Sequence, residues 1–312
     1  MNELSPSSPL IPILPREAPP ADLVNIGAPG GLDAAINLQG AELWFLRDRN
    51  GGHLLWHGTP DIWPHRAPIL FPIVGRLRDD TYRLDGHTHR LPRDGFARNA
   101  RFTLAAHGDD HALLRLEDDA ATRAVWPFAF ALTLSFAISG NTLTIGAEVA
   151  NRGEQTMPVS FGFHPALRWP LPQGGLRAAH HIAFDKPEAA TITRLDGNDL
   201  IAGTAPSPLE GQDLPLRDAL FEQGALVFPQ VSSRALTYTS PGGPSIRVQT
   251  ENLPDLMLWT KPDADFIAIV PSQGLADAGD YAGDIGQKPG MVALAPGEVW
   301  KASISLTHER AV

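Results

Sequence analysis

Large apolar side chains alternate with small or polar ones along the segment Phe128–Ile138, near the middle of the chain. The period of two persists over all eleven residues, which fits a β-strand with one buried face and excludes a helix. Ser139, Gly140 and Asn141 then provide a turn, and the alternation resumes over Leu143–Val149. The pattern predicts a β-hairpin. Because its apolar face carries large side chains, we expect that face to pack against a second sheet.

Short runs of the same kind continue through most of the sequence, and the 29 glycines and 29 prolines separate them. We predict further strands at Leu32–Leu38, Glu42–Arg47, Tyr82–Leu84, Phe102–Ala105, Ala112–Leu116, Ala235–Thr239, Ser245–Thr250, Leu256–Trp259 and Phe266–Val270. No amphipathic pattern predicts a helix of more than about three turns. Many strands without a change in composition predict an all-β fold, with a single large β-sandwich over residues 23–312. Residues 1–22 are rich in proline, and we expect them to form an extended tail.

Charge and composition narrow the classes of partner and compartment. The formal net charge is −10 and no basic stripe offsets it, which argues against nucleic acid as a partner. The chain has no cysteine, so disulfide and thiolate chemistry are excluded. This composition fits a reducing compartment, and we expect the cytoplasm, since the N-terminus lacks the basic region of a signal peptide. The most apolar run, Trp126–Ile138, is too short to cross a bilayer, so we expect no membrane partner.

Three side chains of complementary chemistry lie in segments rich in glycine and apolar residues. Arg76 ends the apolar run that begins at Ala67, and Asp94 lies in a glycine-containing loop. His164 lies between an aromatic-Gly-aromatic run and a proline. An arginine, a carboxylate and an imidazole can together bind a polyhydroxylated ligand and move a proton, since imidazole titrates near neutrality. These residues are the candidates for a functional site.

The segments that carry these residues resemble the aldose 1-epimerase (galactose mutarotase) family, in its bacterial branch with a P-I-L-F-P-x-V-G-R segment. The matching elements are PILFPIVGR at 68–76, GFAR at 95–98 and FGFHPAL at 161–167. The resemblance spans nearly the whole chain. It implies a β-supersandwich whose concave sheet carries an open sugar cleft. The implied reaction interconverts the anomers of an aldose by acid–base opening of the sugar ring, and it needs no cofactor.

The resemblance also implies roles for individual residues. The histidine at the position of His164 protonates the ring oxygen of the sugar, and the arginine at the position of Arg76 holds sugar hydroxyls. Asp94 stands where the family usually has a histidine. An ionised aspartate accepts hydrogen bonds from hydroxyls and holds a nearby imidazole protonated, so we expect Asp94 in both catalysis and sugar binding. Trp63 and Trp169 are favoured for stacking on the sugar because they lie near the motifs.

A second departure from the family pattern lies in the late apolar segment DFIAIVPSQG. Val270 stands where the family has its glutamate base, and valine can neither take up nor release a proton. The candidate replacements are the carboxylates of Asp94, Asp277, Asp280 and Asp284. Three functions stay open: anomer interconversion, sugar binding without catalysis, and another carbohydrate reaction with paired carboxylates. We expect a small-molecule aldose as the partner, with or without a phosphate group, and a monomer or homodimer.

Two pairs of histidines are potential metal ligands, His87 with His89 and His180 with His181. Neither pair is accompanied by a third ligand at the spacing of a metal site. We therefore expect these histidines to be loop residues and predict no metal site.

Overall fold

Antiparallel β-strands form nearly all of the regular structure in the computed structural model, which describes residues 20–262 and 264–310. Residues 1–19, most of the predicted tail, lie outside the described residues. The strands are β1 Leu23–Gly27, β2 Asp33–Asn37, β3 Glu42–Arg47, β4 Ile69–Leu70, β5 Thr81–Leu84, β6 His87–Arg90, β7 Thr103–His107, β8 His111–Glu117, β9 Phe130–Ser139, β10 Thr142–Asn151, β11 Met157–Val159, β12 Phe161–Phe163, β13 Ala166–Arg168, β14 His181–Phe184, β15 Thr191–Leu195, β16 Ile201–Pro206, β17 Asp213–Pro215, β18 Leu226–Phe228, β19 Ala235–Thr239, β20 Ser245–Glu251, β21 Asp255–Trp259, β22 Phe266–Gln273, β23 Val292–Leu294 and β24 Val299–Glu309. One short α-helix, α1, spans Ala120–Val125. In the part of the chain that the structure describes, no helix is long and apolar enough to cross a membrane.

Most strands belong to two large antiparallel sheets. A nine-stranded sheet has the order β17-β14-β19-β20-β24-β10-β9-β8-β7. A second sheet has the order β16-β15-β18-β21-β22-β12-β4, with β13 as an eighth strand beside β22. Side chains of both sheets meet in one apolar core, whose members run from Val24 to Leu306 along the chain. The prediction of an all-β sandwich is confirmed.

The predicted hairpin is β9 and β10, near the middle of the nine-stranded sheet. Ser139 pairs with Thr142 across the turn, and β10 pairs with β24 on its other side. Leu134 and Phe136 are at most 1% exposed, whereas Ser135 between them is exposed. The alternation in the sequence therefore corresponds to one face in the core and one in solvent.

The eight-stranded sheet buries apolar side chains on both of its faces. Along β22, Ile267 and Ile269 point into the core between the two sheets, named the inner core below. Alternate residues point the other way and join a smaller group, named the outer cluster. The outer cluster consists of Trp56, Leu70, Val74, Ala166, Ala264, Phe266, Ala268 and Val270, with Ile62, Trp63, Met257 and Trp259 packed against it. Burial on both faces explains why β22 is a continuous apolar run in the sequence.

The strands between residues 157 and 228 were not predicted from the sequence. They have three to six residues each, too few for a clear alternation. His164 and Pro165 separate β12 from β13. Because proline has no N–H, it interrupts the hydrogen-bonded ladder at this point. The interruption places His164 beside the long strand β22.

Both large sheets end in short or irregular strands. β17 has three residues and β4 has two. β7 is exposed along its whole length, and its register against β8 shifts between Leu104 and Ala106. β16 ends at Pro206, and its register against β15 shifts after Arg194. Each of the four edges is therefore short, bulged or both.

Candidate functional site

His164 lies in the gap between β12 and β13, directly beside β22. The flanking pairs have the same register on both sides of the gap: Gly162 with Ser272, and Ala166 with Ala268. Continued across the gap, this register sets His164 opposite Val270. Side chains two residues apart on a strand share a face, so both side chains belong to the face that carries the outer cluster.

Aromatic rings bury the His164 imidazole. Its centroid lies 5.0 Å from the Trp63 ring and 6.1 Å from the Trp259 ring, and the residue is 6% exposed. Nδ1 has no hydrogen-bond partner among the described residues. Burial lowers the pKa of His164 to about 3, and the positive charges of Arg98 and Arg93 act in the same direction. The imidazole is neutral at pH 7 here, and the open cleft implied by the resemblance is closed over it.

Val270 supplies packing next to this imidazole. It is 0% exposed and pairs with Met257 of β21. The Phe266 ring of the same strand lies 5.3 Å from the Trp63 ring, which extends the apolar cover over this row of the sheet. The side chain opposite His164 therefore carries neither a charge nor a proton acceptor.

The Asp94 carboxylate joins two loops. The backbone N–H of Gly75 donates to Oδ1 at 2.9 Å, and Arg98 donates to Oδ2 at 2.9 Å, with Arg93 3.7 Å from the same oxygen. The N–H of Asp94 donates in turn to the Gly75 carbonyl at 2.9 Å. Burial raises the pKa of Asp94, and the two arginines oppose that rise. Groups of the protein thus engage the oxygens that we expected to face a sugar or His164.

The glycines of the same motifs allow the loops to approach closely. Gly75 and Gly95 have φ values of 74° and 71°. A Cβ on Gly95 would lie 2.2 Å from the Phe71 carbonyl oxygen, and one on Gly75 would lie 2.8 Å from Ala276. A side chain at either position is excluded by sterics and disfavoured by the backbone conformation. Loop packing therefore accounts for the glycines of GR and GFAR.

Arg76 is oriented by an aspartate at the edge of this region. Its Nε and Nη2 donate to the two carboxylate oxygens of Asp80 at 2.9 and 3.0 Å, and 38% of its side chain is exposed. Asp79 and Asp80 have φ values of 57° and 52°, which are uncommon for residues other than glycine. This turn brings the Asp80 carboxylate to the guanidinium. The remaining N–H groups of Arg76 are available to a ligand.

Shared neighbours bring Arg76, Asp94 and His164 into one region. Arg76 directly follows the glycine that donates to Asp94. The arginines that hold Asp94, Arg93 and Arg98, are also the ones whose charges act on His164. The roles of these three residues toward a sugar remain predictions.

Trp169 does not fit its predicted role in sugar stacking. It is 0% exposed within the inner core, and its indole N–H donates to the Arg177 carbonyl at 2.9 Å. The Arg177 guanidinium covers the ring at 3.6 Å from its centroid. No face of Trp169 is open to a ligand. Trp63, the other favoured tryptophan, is partly exposed and packs directly against His164.

The three late aspartates that we considered as replacement bases have other partners or lie in the open. Asp277 accepts the N–H of Arg78 at 2.9 Å and lies 3.3 Å from Lys288 Nζ. Asp284 accepts two backbone N–H groups at 3.0 Å each. Asp280 is exposed in the same loop. Within residues 20–262 and 264–310, none of the three is hydrogen-bonded to His164.

A histidine–carboxylate pair that was not predicted from the sequence borders the outer cluster. The buried Glu42 accepts the N–H groups of Arg66 and Ala67 on Oε1, at 2.6 and 3.1 Å, and its Oε2 lies 3.8 Å from His65 Nδ1. Burial pushes the pKa of Glu42 up, but His65 and the two N–H groups outweigh it, so this pKa lies below its ordinary value. The His65 ring lies 5.9 Å from Trp63. The only signal in the sequence was the position of His65 two residues after a favoured tryptophan.

In each of the two histidine pairs considered as metal ligands, one ring contacts another group of the protein. His180 is buried, with Nε2 accepting the N–H of Leu171 at 3.1 Å, and the His89 ring stacks on Tyr82 at 5.0 Å. Over residues 20–262 and 264–310, no three histidine or carboxylate side chains come together to hold a metal ion.

The sequence matches known proteins over most of its length. The sequence model of a family described as aldose 1-epimerase matches residues 22–307. The chain is also 30% identical over 279 residues to "Protein LacX, chromosomal" of Lactococcus lactis subsp. lactis, which covers 86% of this chain and 93% of the relative.

Solved structures match the fold. A "galactose mutarotase related enzyme" from Lactobacillus acidophilus has a TM-score of 0.87 at 27% identity, over 93% of this chain and 98% of that one. A "galactose mutarotase-like protein" from Lactobacillus casei ATCC 334 has a TM-score of 0.86 at 26% identity, over 92% of this chain and 100% of that one. These likenesses agree with the sandwich predicted from the sequence.

Proposed function

This chain belongs to the aldose 1-epimerase family, and we propose that it binds an aldose at the outer cluster and interconverts the two anomers of the sugar. The main support is the position of His164, opposite residue 270 on one face of the eight-stranded sheet. The family resemblance assigns an acid and a base to these two positions. The partly exposed guanidinium of Arg76, held by Asp80, supports the binding of sugar hydroxyls.

Interconversion of anomers needs one proton acceptor and one proton donor. The acceptor removes the proton of the C1 hydroxyl, the bond between C1 and the ring oxygen breaks, and the donor protonates the ring oxygen. Rotation of the aldehyde and closure of the ring give the other anomer. In this proposal His164 exchanges a proton with one of these oxygens. Because Trp63 packs against His164, the sugar reaches the imidazole only after the indole moves aside.

Sugar binding without turnover is the second candidate function. It is favoured by the apolar Val270 at the position of the base and by the engaged carboxylate of Asp94. The third possibility, paired carboxylates, has weaker support because Asp94 and Asp277 are both held by other groups of the protein.

Anomer exchange measured by NMR decides between the two candidates. Pure anomers of several aldoses, with and without a phosphate group, are followed with and without protein, while calorimetry measures binding. We expect exchange above the buffer rate and a loss of about 100-fold or more in His164→Gln, since a positioned acid–base group contributes about 10²–10⁴-fold. Binding without exchange would favour the second candidate. Neither binding nor exchange would contradict both.

Restoring a carboxylate at position 270 is a direct test of the site. We expect Val270→Glu to raise anomer exchange by at least about tenfold, because a carboxylate there would lie beside His164 and burial would raise its pKa toward neutrality. Val270→Gln is the matched control, since glutamine has nearly the same shape as glutamate but its amide does not act as a base. Equal rates in the two variants, with both proteins folded by circular dichroism, would show that position 270 does not face the anomeric centre.

We further propose a cytoplasmic location, which fits the absence of cysteine from the sequence. The same NMR panel tests whether the sugar carries a phosphate group. Size-exclusion chromatography tests whether the protein is a monomer or a homodimer.

A further inference from the structure

His65 and Glu42 place a second imidazole at the border of the outer cluster, next to Trp63. We propose that His65, held by Glu42, is the second acid–base residue of the anomer interconversion. It donates a proton to the ring oxygen, while His164 accepts the proton of the anomeric hydroxyl. This assignment rests on the proposed function. It gives the reaction two proton-exchanging groups although Val270 supplies none.

The Glu42 carboxylate is fixed so that one of its oxygens faces His65. Oε1 is held by two backbone N–H groups at 2.6 and 3.1 Å. Oε2 is then left 3.8 Å from His65 Nδ1, within the range of an ion pair. The Glu42 carboxylate is thus the charged neighbour of the His65 imidazole. His65 Nε2 has no partner within residues 20–262 and 264–310, so its N–H is available to a ligand.

Both imidazoles contact the same indole. The Trp63 ring lies 5.9 Å from the His65 ring and 5.0 Å from the His164 ring. A pyranose is similar in width to an indole, so a sugar that takes the place of the indole lies within reach of both histidines. His65 has 26% of its side chain exposed, so a ligand can approach it from solvent.

The two imidazoles have opposite surroundings. His164 is buried beside Arg93 and Arg98, and the burial, reinforced by these charges, favours its neutral form. His65 is more exposed, and its Nδ1 lies 3.8 Å from the Glu42 carboxylate. We therefore assign the role of base to the buried imidazole and the role of acid to the imidazole beside the carboxylate.

Several other ionisable groups in this part of the molecule are already engaged. The carboxylates of Asp94 and Asp277 hold basic groups, and Asp255 accepts two backbone N–H groups at 3.0 Å each. His57 lies on the same loop as His65, but its Nε2 is hydrogen-bonded to the Thr59 hydroxyl at 3.1 Å. His65 is thus the better placed of the two loop histidines.

The proton transfers balance without a co-reactant. The lone pair of the unprotonated nitrogen of His164 takes the proton of the C1 hydroxyl, and the O–H electrons form the C1=O bond. The electron pair of the bond between C1 and the ring oxygen moves to that oxygen, which takes the proton from His65. His164 becomes charged and His65 neutral. Closure on the other face of the aldehyde reverses both transfers, so the residues return to their starting states.

The test compares His65→Ala with a control on the same loop, His57→Ala, in the NMR exchange assay with the aldose that the wild type converts fastest. We expect His65→Ala to lower kcat by about 100-fold or more, and imidazole added to the buffer to restore part of it. His57→Ala should stay within about twofold of the wild type. Glu42→Gln, which keeps an oxygen for the two backbone N–H groups, should lower kcat with little change in KM.

The outcomes separate this inference from the proposed function. A wild type that exchanges anomers and a His65→Ala variant that retains its rate would overturn the inference and leave the function standing. A wild type without exchange would overturn both. If circular dichroism shows His65→Ala to be unfolded, His65→Gln takes its place, since it keeps the size of the side chain without a titratable group, and the same comparison of rates applies.

Discussion

The inner core and the outer cluster lie on opposite faces of one sheet, and each is closed in a different way. A second sheet covers the inner core, with side chains such as Phe136 presented by long, hydrogen-bonded strands. Side chains from a loop and from strand ends cover the outer cluster, and the loop contributes the partly exposed Trp63. Side chains that are buried to a similar degree in the two regions are therefore not equally hard to uncover. A loop side chain such as that of Trp63 can move aside for a ligand, whereas a sheet cannot.

Both regions contain buried polar atoms. In the inner core, the Tyr238 hydroxyl donates to the Arg168 carbonyl at 2.9 Å, whereas Trp126 Nε1 has no partner among the described residues. At the outer cluster, His164 Nδ1 is buried without a partner among the described residues. An unsatisfied buried polar atom costs roughly 1–3 kcal/mol. In the proposed function, a sugar hydroxyl would supply the partner that His164 Nδ1 lacks.

Truncation of a core side chain should give the largest difference between the regions. Phe136→Ala removes a ring that is 1% exposed, so we expect the free energy of unfolding to fall by about 3–5 kcal/mol. Trp63→Ala removes a larger ring that is partly exposed, and we expect a loss of only about 1–3 kcal/mol. Urea denaturation followed by circular dichroism measures both. Equal losses would mean that the outer cluster is as integral to the fold as the inner core.

Acidification should produce the next largest effect, through the contribution of His164 in the outer cluster. The pKa of His164 is about 3 in the folded chain, against about 6.5 when unfolded, so the unfolded chain binds more protons between these values. Stability from this group is therefore lost as pH falls from about 7 to about 4.5, by roughly 2–3 kcal/mol. His164→Gln lacks this contribution, while all other groups titrate alike. Urea denaturation at the two pH values should show a smaller loss in the variant. The same loss in both proteins would contradict a buried, neutral His164.

The smallest effect should come from removing Trp63, the loop side chain that covers His164. Trp63→Ala should raise the pKa of His164 from about 3 toward its ordinary value, because removal of the indole admits water to the imidazole. Only part of the shift should disappear, since Trp259 remains against the ring. NMR titration of the imidazole protons measures this pKa, and Trp300→Ala, on the nine-stranded sheet, is the control. An unchanged pKa would show that Trp63 does not control access to His164.

The sequence predicted the inner core more fully than the outer cluster. The core is encoded by alternation over neighbouring residues, whereas the cluster depends on contacts between segments that are far apart in the chain. The alternation over 128–138 is local, and it determines which side chains of β9 face the core. Family resemblance assigned His164 and Val270 to one site, and the register of β22 places them side by side. The engagement of Asp94 by Arg98 depends on the fold of a loop, which no local pattern reveals.

Two further differences between the prediction and the structure have the same origin. Tryptophan content alone could not show that Trp169 is covered on every side while Trp63 is partly open. The pairing of His65 with Glu42 joins a loop to a distant strand, so it becomes visible only when the two are brought together.

The irregular edges of the two sheets bear on the behaviour of this protein at high concentration. An edge strand with free N–H and C=O groups is a template on which another molecule can add a strand and begin a fibre. The bulge in β7 between Leu104 and Ala106 interrupts that template on an otherwise exposed strand. Pro206 ends β16, and β4 and β17 are too short to hold a foreign strand. The edges of the two large sheets are thus poor templates for an added strand, which should limit aggregation through them.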